Sequence, residues 1–213
     1  MSILNVTCSQ EKAFVCVDTL GEAIEPGKGR SLACQKMFPV VHVNGIIAGR
    51  GLGSAVMATA MLCGEAGSDV DEIAERIPSI MFQASDMAEA AHRVKRIPLK
   101  SLAKLGASGF TIRFVGYSRK EGRMVCFAYD RTFDSMSVQR RQLDGCIGPW
   151  VDSWGEVPHP KTVEELEAVA RLQLQLHRRD HPQSILGGKL IAAELTRDSM
   201  RIWQVCDLEA GSV

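Results

Sequence analysis

No stretch of this sequence approaches the roughly twenty apolar residues needed to span a bilayer; even Val40 to Ala48 is broken by His42, Asn44 and Gly45. A surplus of charge is missing too, since 25 Lys and Arg face 25 Asp and Glu. Without a long-range positive field, nucleic acid and anionic membrane surfaces are not expected partners, and little repulsion opposes association between copies. The start of the chain carries no basic region leading into an apolar one, because Asn5, Ser9, Gln10, Glu11 and Lys12 interrupt any such run. The sequence therefore predicts a cytoplasmic protein.

Cysteine pairing motifs are absent as well. The seven cysteines are an odd number, form no CxxC pair and are scattered over the whole length, which points to reduced thiols. Most lie in apolar runs such as Phe14-Val15-Cys16-Val17 and Met124-Val125-Cys126-Phe127, where cysteine serves as a small hydrophobe. Repeats, linkers and low-complexity segments do not occur. With 46% hydrophobic and 23% charged residues, the 213-residue chain reads as one globular domain over residues 1–213, large enough to bury a sizeable core.

Local patterns give the order of elements. Ile3 to Cys8 and Ala13 to Thr19 form two strands around the polar turn Ser9-Gln10-Glu11-Lys12, and a loop from Gly21 to Arg30 follows. Met37 to Val43 and Gly45 to Gly49 predict a second hairpin turning at Asn44-Gly45. From Leu52 the small apolar residues predict a buried helix ending near Gly64, and Ser68 opens a second helix kinked at Pro78. Strands are expected at Phe110 to Tyr117, Met124 to Tyr129 and Ser135 to Leu143, then a long helix capped by Thr162, then strands Leu190 to Thr196 and Arg201 to Cys206. The whole is a layered domain of strands and helices.

Several motifs argue for bland roles. His177 and His181 stand four apart on a helix, but the HExxH glutamate is missing and Arg178 and Arg179 oppose a dication, so no metal site is expected. Gly49-Arg50-Gly51-Leu52-Gly53 lacks the Lys-Ser/Thr of a phosphate loop; close packing of strand on helix accounts for its glycines, and no cofactor is expected. Arg93, Lys95, Arg96, Lys100 and Lys104 fit a solvated face or a partner contact. Trp150 and Trp154 fit a pocket wall, a subunit interface or core cover.

Short motifs in a consistent order carry a family resemblance. They are Asp18 at the end of the second strand, Lys36-Met37-Phe38-Pro39-Val40, Ile47-Ala48-Gly49-Arg50-Gly51 before the first helix, the paired strands of Phe110 to Asp130, and Lys161 to Glu165, Arg179-Asp180 and Gly187-Gly188 near the end. Together they resemble the proteasome-type N-terminal nucleophile hydrolases, meaning proteasome β subunits and HslV-type bacterial peptidases. The resemblance implies a four-layer αββα sandwich, an α+β fold, and homo-oligomeric rings acting on peptide or amide substrates; an ATPase partner is left open. It also implies a mechanism in which the first residue's hydroxyl attacks a carbonyl while its own α-amine, with a pKa near ~8, takes the proton.

Here Ser2, exposed by removal of Met1, stands sixteen residues before Asp18. The resemblance assigns Ser2 as nucleophile and base, Lys36 as charge stabiliser, and Asp18 and Asp180 as supporting acids. The apolar alternation of Leu4 and Val6 instead suits Met1 in the nucleophile's place, so a non-catalytic structural subunit retaining Met1 is the alternative. Gly145-Cys146-Ile147-Gly148 replaces the family's Gly-Ser-Gly turn.

Overall fold

The computed structural model describes residues 2–22, 31–94, 109–132, 135, 137–149, 160–182 and 185–209. Alternating apolar residues pair the first strands, β1 (Leu4–Cys8) and β2 (Lys12–Asp18), with Leu4 opposite Val17 and Val6 opposite Val15. A short hairpin of β3 (Leu20–Glu22) and β4 (Ser31–Ala33) follows, where the sequence predicts only a loop. Next come β5 (Met37–Val40) and β6 (Gly45–Gly51). The turn between them is wider than a two-residue Asn-Gly turn, because Val41–Val43 form a 3-10 turn that ends on Asn44 at φ 50°. Asn44 tolerates the left-handed region, and its amide also donates to the Thr196 carbonyl at 2.8 Å.

Helix α1 (Gly53–Cys63) packs beside α2 (Val70–Val94), which runs through Pro78 as one helix. At the start of α2, Asp69 accepts from the Glu72 N–H while Glu72 reaches back to the Ser68 N–H, each at 2.9 Å. Strands β7 (Phe110–Ser118) and β8 (Arg123–Arg131) form a long hairpin. β9 (Gln139–Leu143) begins later than Ser135 and is almost wholly exposed, a charged edge strand carrying Arg140 and Arg141. β10 (Gly145–Cys146), helix α3 (Val163–Asp180), β11 (Lys189–Thr196) and β12 (Met200–Asp207) complete the described elements.

Among the described residues the strands form two five-stranded antiparallel sheets, ordered β10-β1-β2-β11-β12 and β5-β6-β7-β8-β9, plus the β3-β4 hairpin, in a mixed α/β chain. Strand alternation divides the apolar residues among three cores. Leu4, Val6, Val15 and Val17 of one sheet meet Ile46, Ala48, Val115 and Cys126 of the other. Ile3, Cys16, Leu190 and Ala192 turn the opposite way, onto Leu166, Ala170 and Leu174 of α3. Ile47, Ile112, Phe114 and Phe127 pack against α1 and α2. A Cβ on Gly49 would lie 2.6 Å from Val56 of α1, so close packing of strand on helix does explain that glycine.

Helix α3 begins as the sequence predicts, with the Thr162 hydroxyl accepting the Glu165 N–H at 3.2 Å. Thr162→Ala is expected to cost about 1 kcal/mol, read as a lowered denaturation midpoint with unchanged slope. No helix among the described residues is long and apolar enough to cross a membrane. Lys95, Arg96, Lys100, Lys104, Trp150, Trp154 and Met1 lie outside the described residues.

Candidate functional site

The end of β2 carries Asp18 into a site assembled mostly from backbone. Asp18 is fully buried, and its Oδ1 accepts from the Lys36 ammonium at 2.7 Å and from the Ile3 N–H at 2.9 Å. Its Oδ2 accepts from the Gly187 N–H at 3.1 Å. Lys36, only 7% exposed, also donates to the Leu20 carbonyl. The sequence-predicted Asp18 and Lys36 are therefore one buried ion pair, pinned by the first strand on one side and the Gly187-Gly188 segment on the other.

Local structure explains why these groups meet. Gly187 and Gly188 adopt φ of 134° and 77°, which only glycine does without strain, and this lets the chain present the Gly187 N–H to the carboxylate just before β11 begins. The donors from Ile3 and Gly187 and the Leu20 acceptor are backbone groups that no side-chain motif announces. The paired glycines before a strand are the signal that marks them.

The electrostatics are a contest. Burial pushes the Asp18 carboxyl above its ordinary range, and the Lys36 ammonium and the two N–H donors oppose that push. An ammonium has three N–H donors, and among the described residues two are used, on Asp18 and on Leu20. Lys36 also lines a cleft of about 670 Å³ whose other walls include Val17, Thr19, Met37, Ile191 and Ile202. The cleft thus places an apolar wall next to a fixed cation.

Ser2 is 8% exposed and directly precedes Ile3, whose N–H holds Asp18. Leu4 faces the second sheet while Ile3 faces α3. Asp180 is placed elsewhere: it sits at the exposed C-terminal end of α3, where Arg179 donates to it at 2.7 Å and holds its carboxyl below the usual range. The rings of His177 and His181 pack with centroids 4.8 Å apart, and burial followed by the neighbouring His181 holds His177 below its ordinary value.

Comparison with known proteins corrects one expectation. No family model matches the chain and no curated protein matches it. The motif order therefore does not place the chain among proteasome β subunits and HslV-type peptidases; short segments of apolar and glycine residues recur wherever strands must pack on helices. A likeness is found at the level of structure. Anbu from Hyphomicrobium sp. strain MC1, solved as a (Gly-1) mutant, is similar with a TM-score of 0.58 at 10% sequence identity, over 96% of this chain and 86% of that one. At that identity the likeness concerns the fold alone.

Proposed function

We propose that the chain is an amide or peptide hydrolase of proteasome-like fold, with Ser2 as nucleophile once Met1 is removed and the freed α-amine of Ser2 as general base. The observation that carries this reading is the buried Lys36–Asp18 pair beside the cleft, with one ammonium donor left over among the described residues. A fixed cation in a water-poor site stabilises the negative charge that develops on a carbonyl oxygen under attack. Continuing the β1–β2 register past Leu4–Val17 sets Ser2 opposite Thr19, on the strand face that Val17 and Thr19 share. Both of those residues line the cleft, while Ser2 itself is buried beside them and outside the lining. In this reading Lys36 stabilises charge, Asp18 holds Lys36 in place, and Asp180 supports the site only through a rearrangement that frees it from Arg179.

The domain is taken to be a single four-layer αββα sandwich, a reading supported by the three cores shared between helices and sheets. Self-association is part of the proposal. Helix α1 carries no charged residue and exposes Met57 and Met61 one turn apart, an unusual surface for a solitary chain.

The test is the intact mass of the protein from its native source, read alongside hydrolysis of a peptide-amide library. Loss of Met1 with turnover is the expected result. Full retention of Met1 leaves Ser2 without a free amine; the hydrolase reading then falls, and a non-catalytic structural subunit takes its place.

A further inference from the structure

A second cluster of reactive groups lies where the chain passes from one sheet to the other. β9 ends at Leu143, whose Cα partner is Cys126 of β8, and β10 begins at Gly145 and pairs Cys146 with Val6 of β1. The crossing takes a single residue, Asp144, so Cys126 of one sheet and Cys146 of the other are brought together at the corner. Both belong to the core between the sheets, Cys126 fully buried and Cys146 half-buried, and Cys8 of β1 packs against the same core.

Two guanidinium groups point into this corner. Arg113 of β7 is only 7% exposed, carries its charge toward Cys146, and has a buried Nε with no hydrogen-bond partner among the described residues. Arg50 of β6 adds its charge from beside Gly148, where a Cβ would lie 2.9 Å from the guanidinium. Among the described residues Asp130 of β8 is the carboxylate that faces Arg113, at 3.4 Å, and it is shared with Arg141. Among these residues the corner therefore holds more positive charge than negative, and a thiolate is a group that balances it.

We propose that Cys146 is an oxidisable thiolate and that Cys126 resolves it, so that a hydroperoxide converts the pair into a reversible disulfide between the two sheets. The Cys146 sulfur attacks the hydroperoxide; the O–O bond breaks, an S–O bond forms, and the leaving alkoxide or hydroxide takes a proton from solvent. Sulfur is oxidised by two electrons to the sulfenic acid and the peroxide is reduced to alcohol or water. The Cys126 sulfur then attacks the sulfenic sulfur, the S–S bond forms, and the S–O bond breaks. The hydroxide leaves with the Cys126 proton as water.

The titration behaviour of the cysteines agrees with this selectivity. A hydrogen bond from Cys126, then the charges of Arg113 and Arg50, bring the Cys146 thiol down to about 6 against the effect of burial. Burial pushes Cys8, Cys16 and Cys63 up to about 12. Cys146 is thus ionised at neutral pH while its neighbours are protonated.

The full chain titrated with hydrogen peroxide, then alkylated and peptide-mapped without reduction, should yield a Cys126–Cys146 peptide that a dithiol reductant removes. In Cys126→Ser the same treatment should leave Cys146 as a sulfenic acid trapped by dimedone. On the untreated wild-type protein, iodoacetamide should label Cys146 at least about tenfold faster at pH 7 than Cys34, with a midpoint near pH 6. That measurement needs no substitution, so it decides the matter if Cys126→Ser does not fold. Labelling of Cys146 that rises only above pH 8, oxidation falling first on Cys34, or a Cys8–Cys146 disulfide in place of the expected one would each overturn the proposal.

Discussion

Replacing Lys36 by Met is expected to destabilise the fold by about 3–5 kcal/mol at neutral pH, the scale of breaking a buried ion pair from one side, and the loss should grow as pH rises. Asp18 is fully buried and keeps only the Ile3 and Gly187 N–H donors when the ammonium is removed. Burial already pushes its carboxyl upward, and without Lys36 that push meets less opposition. The native-state value then stands further above the unfolded value of about 3.9. A raised acid pKa means the folded chain binds the proton more tightly than the unfolded chain. Its contribution is fully present below about pH 4 and is lost as pH rises through the raised folded value. Urea midpoints of Lys36→Met and wild type should therefore lie closer at pH 5 than at pH 8.

Asp18→Asn provides the other side of the cycle. It strands a buried ammonium that is only 7% exposed, so it should cost a comparable amount. Combining the two substitutions should recover much of the loss, because neither charge is then left without its partner. A deficit that is equal at pH 5 and pH 8, or a double variant as weak as the sum of the singles, would show that Asp18 and Lys36 are not energetically coupled.

Asp18 and Lys36 were reached through the motifs that carry the family resemblance, and nothing in their local residues announced that the two would meet as an ion pair. The first hairpin, the Thr162 cap and the three helices were legible directly, since their periodicity and capping chemistry are local. The backbone part of the site was not legible. Ile3, Leu20 and Gly187 contribute through N–H and C=O groups that every residue carries, and only register brings them together. β3 and β4 went unseen because three residues in each strand offer too little alternation to stand out from a Gly- and Pro-containing loop. Cys146 read as one more small hydrophobe, since its neighbours Arg50 and Arg113 come from strands nearly a hundred and more than thirty positions away in sequence. The order of short motifs pointed to a mixed α/β fold, which the structure has, and to a sequence family that no family model or curated protein supports. Many sequences satisfy the packing of strand on helix.

In protein shown to lack Met1, Ser2→Ala is expected to lower amide hydrolysis on the order of 10⁶-fold, the scale on which a hydrolase loses its hydroxyl nucleophile. The fold should survive, because alanine fits an 8%-exposed site and the hydroxyl makes no hydrogen bond among the described residues. Ser2→Thr keeps a hydroxyl on the same carbon and should retain turnover, which separates chemistry from packing. The base predicts the pH profile. An α-amine with an ordinary pKa of about 7.7–8.0 accepts a proton only when neutral, so kcat/KM should rise with pH through that range. The cation at Lys36, 2.7 Å from Asp18 and fixed by Leu20, raises the cost of a second positive charge nearby and should move the midpoint below 7.7. Mass spectrometry of a stalled reaction should place the acyl group on the peptide that begins at Ser2. Turnover that is unchanged in Ser2→Ala, or an acyl group found on a different peptide, would assign the nucleophile elsewhere and leave the Lys36–Asp18 pair with a purely structural role.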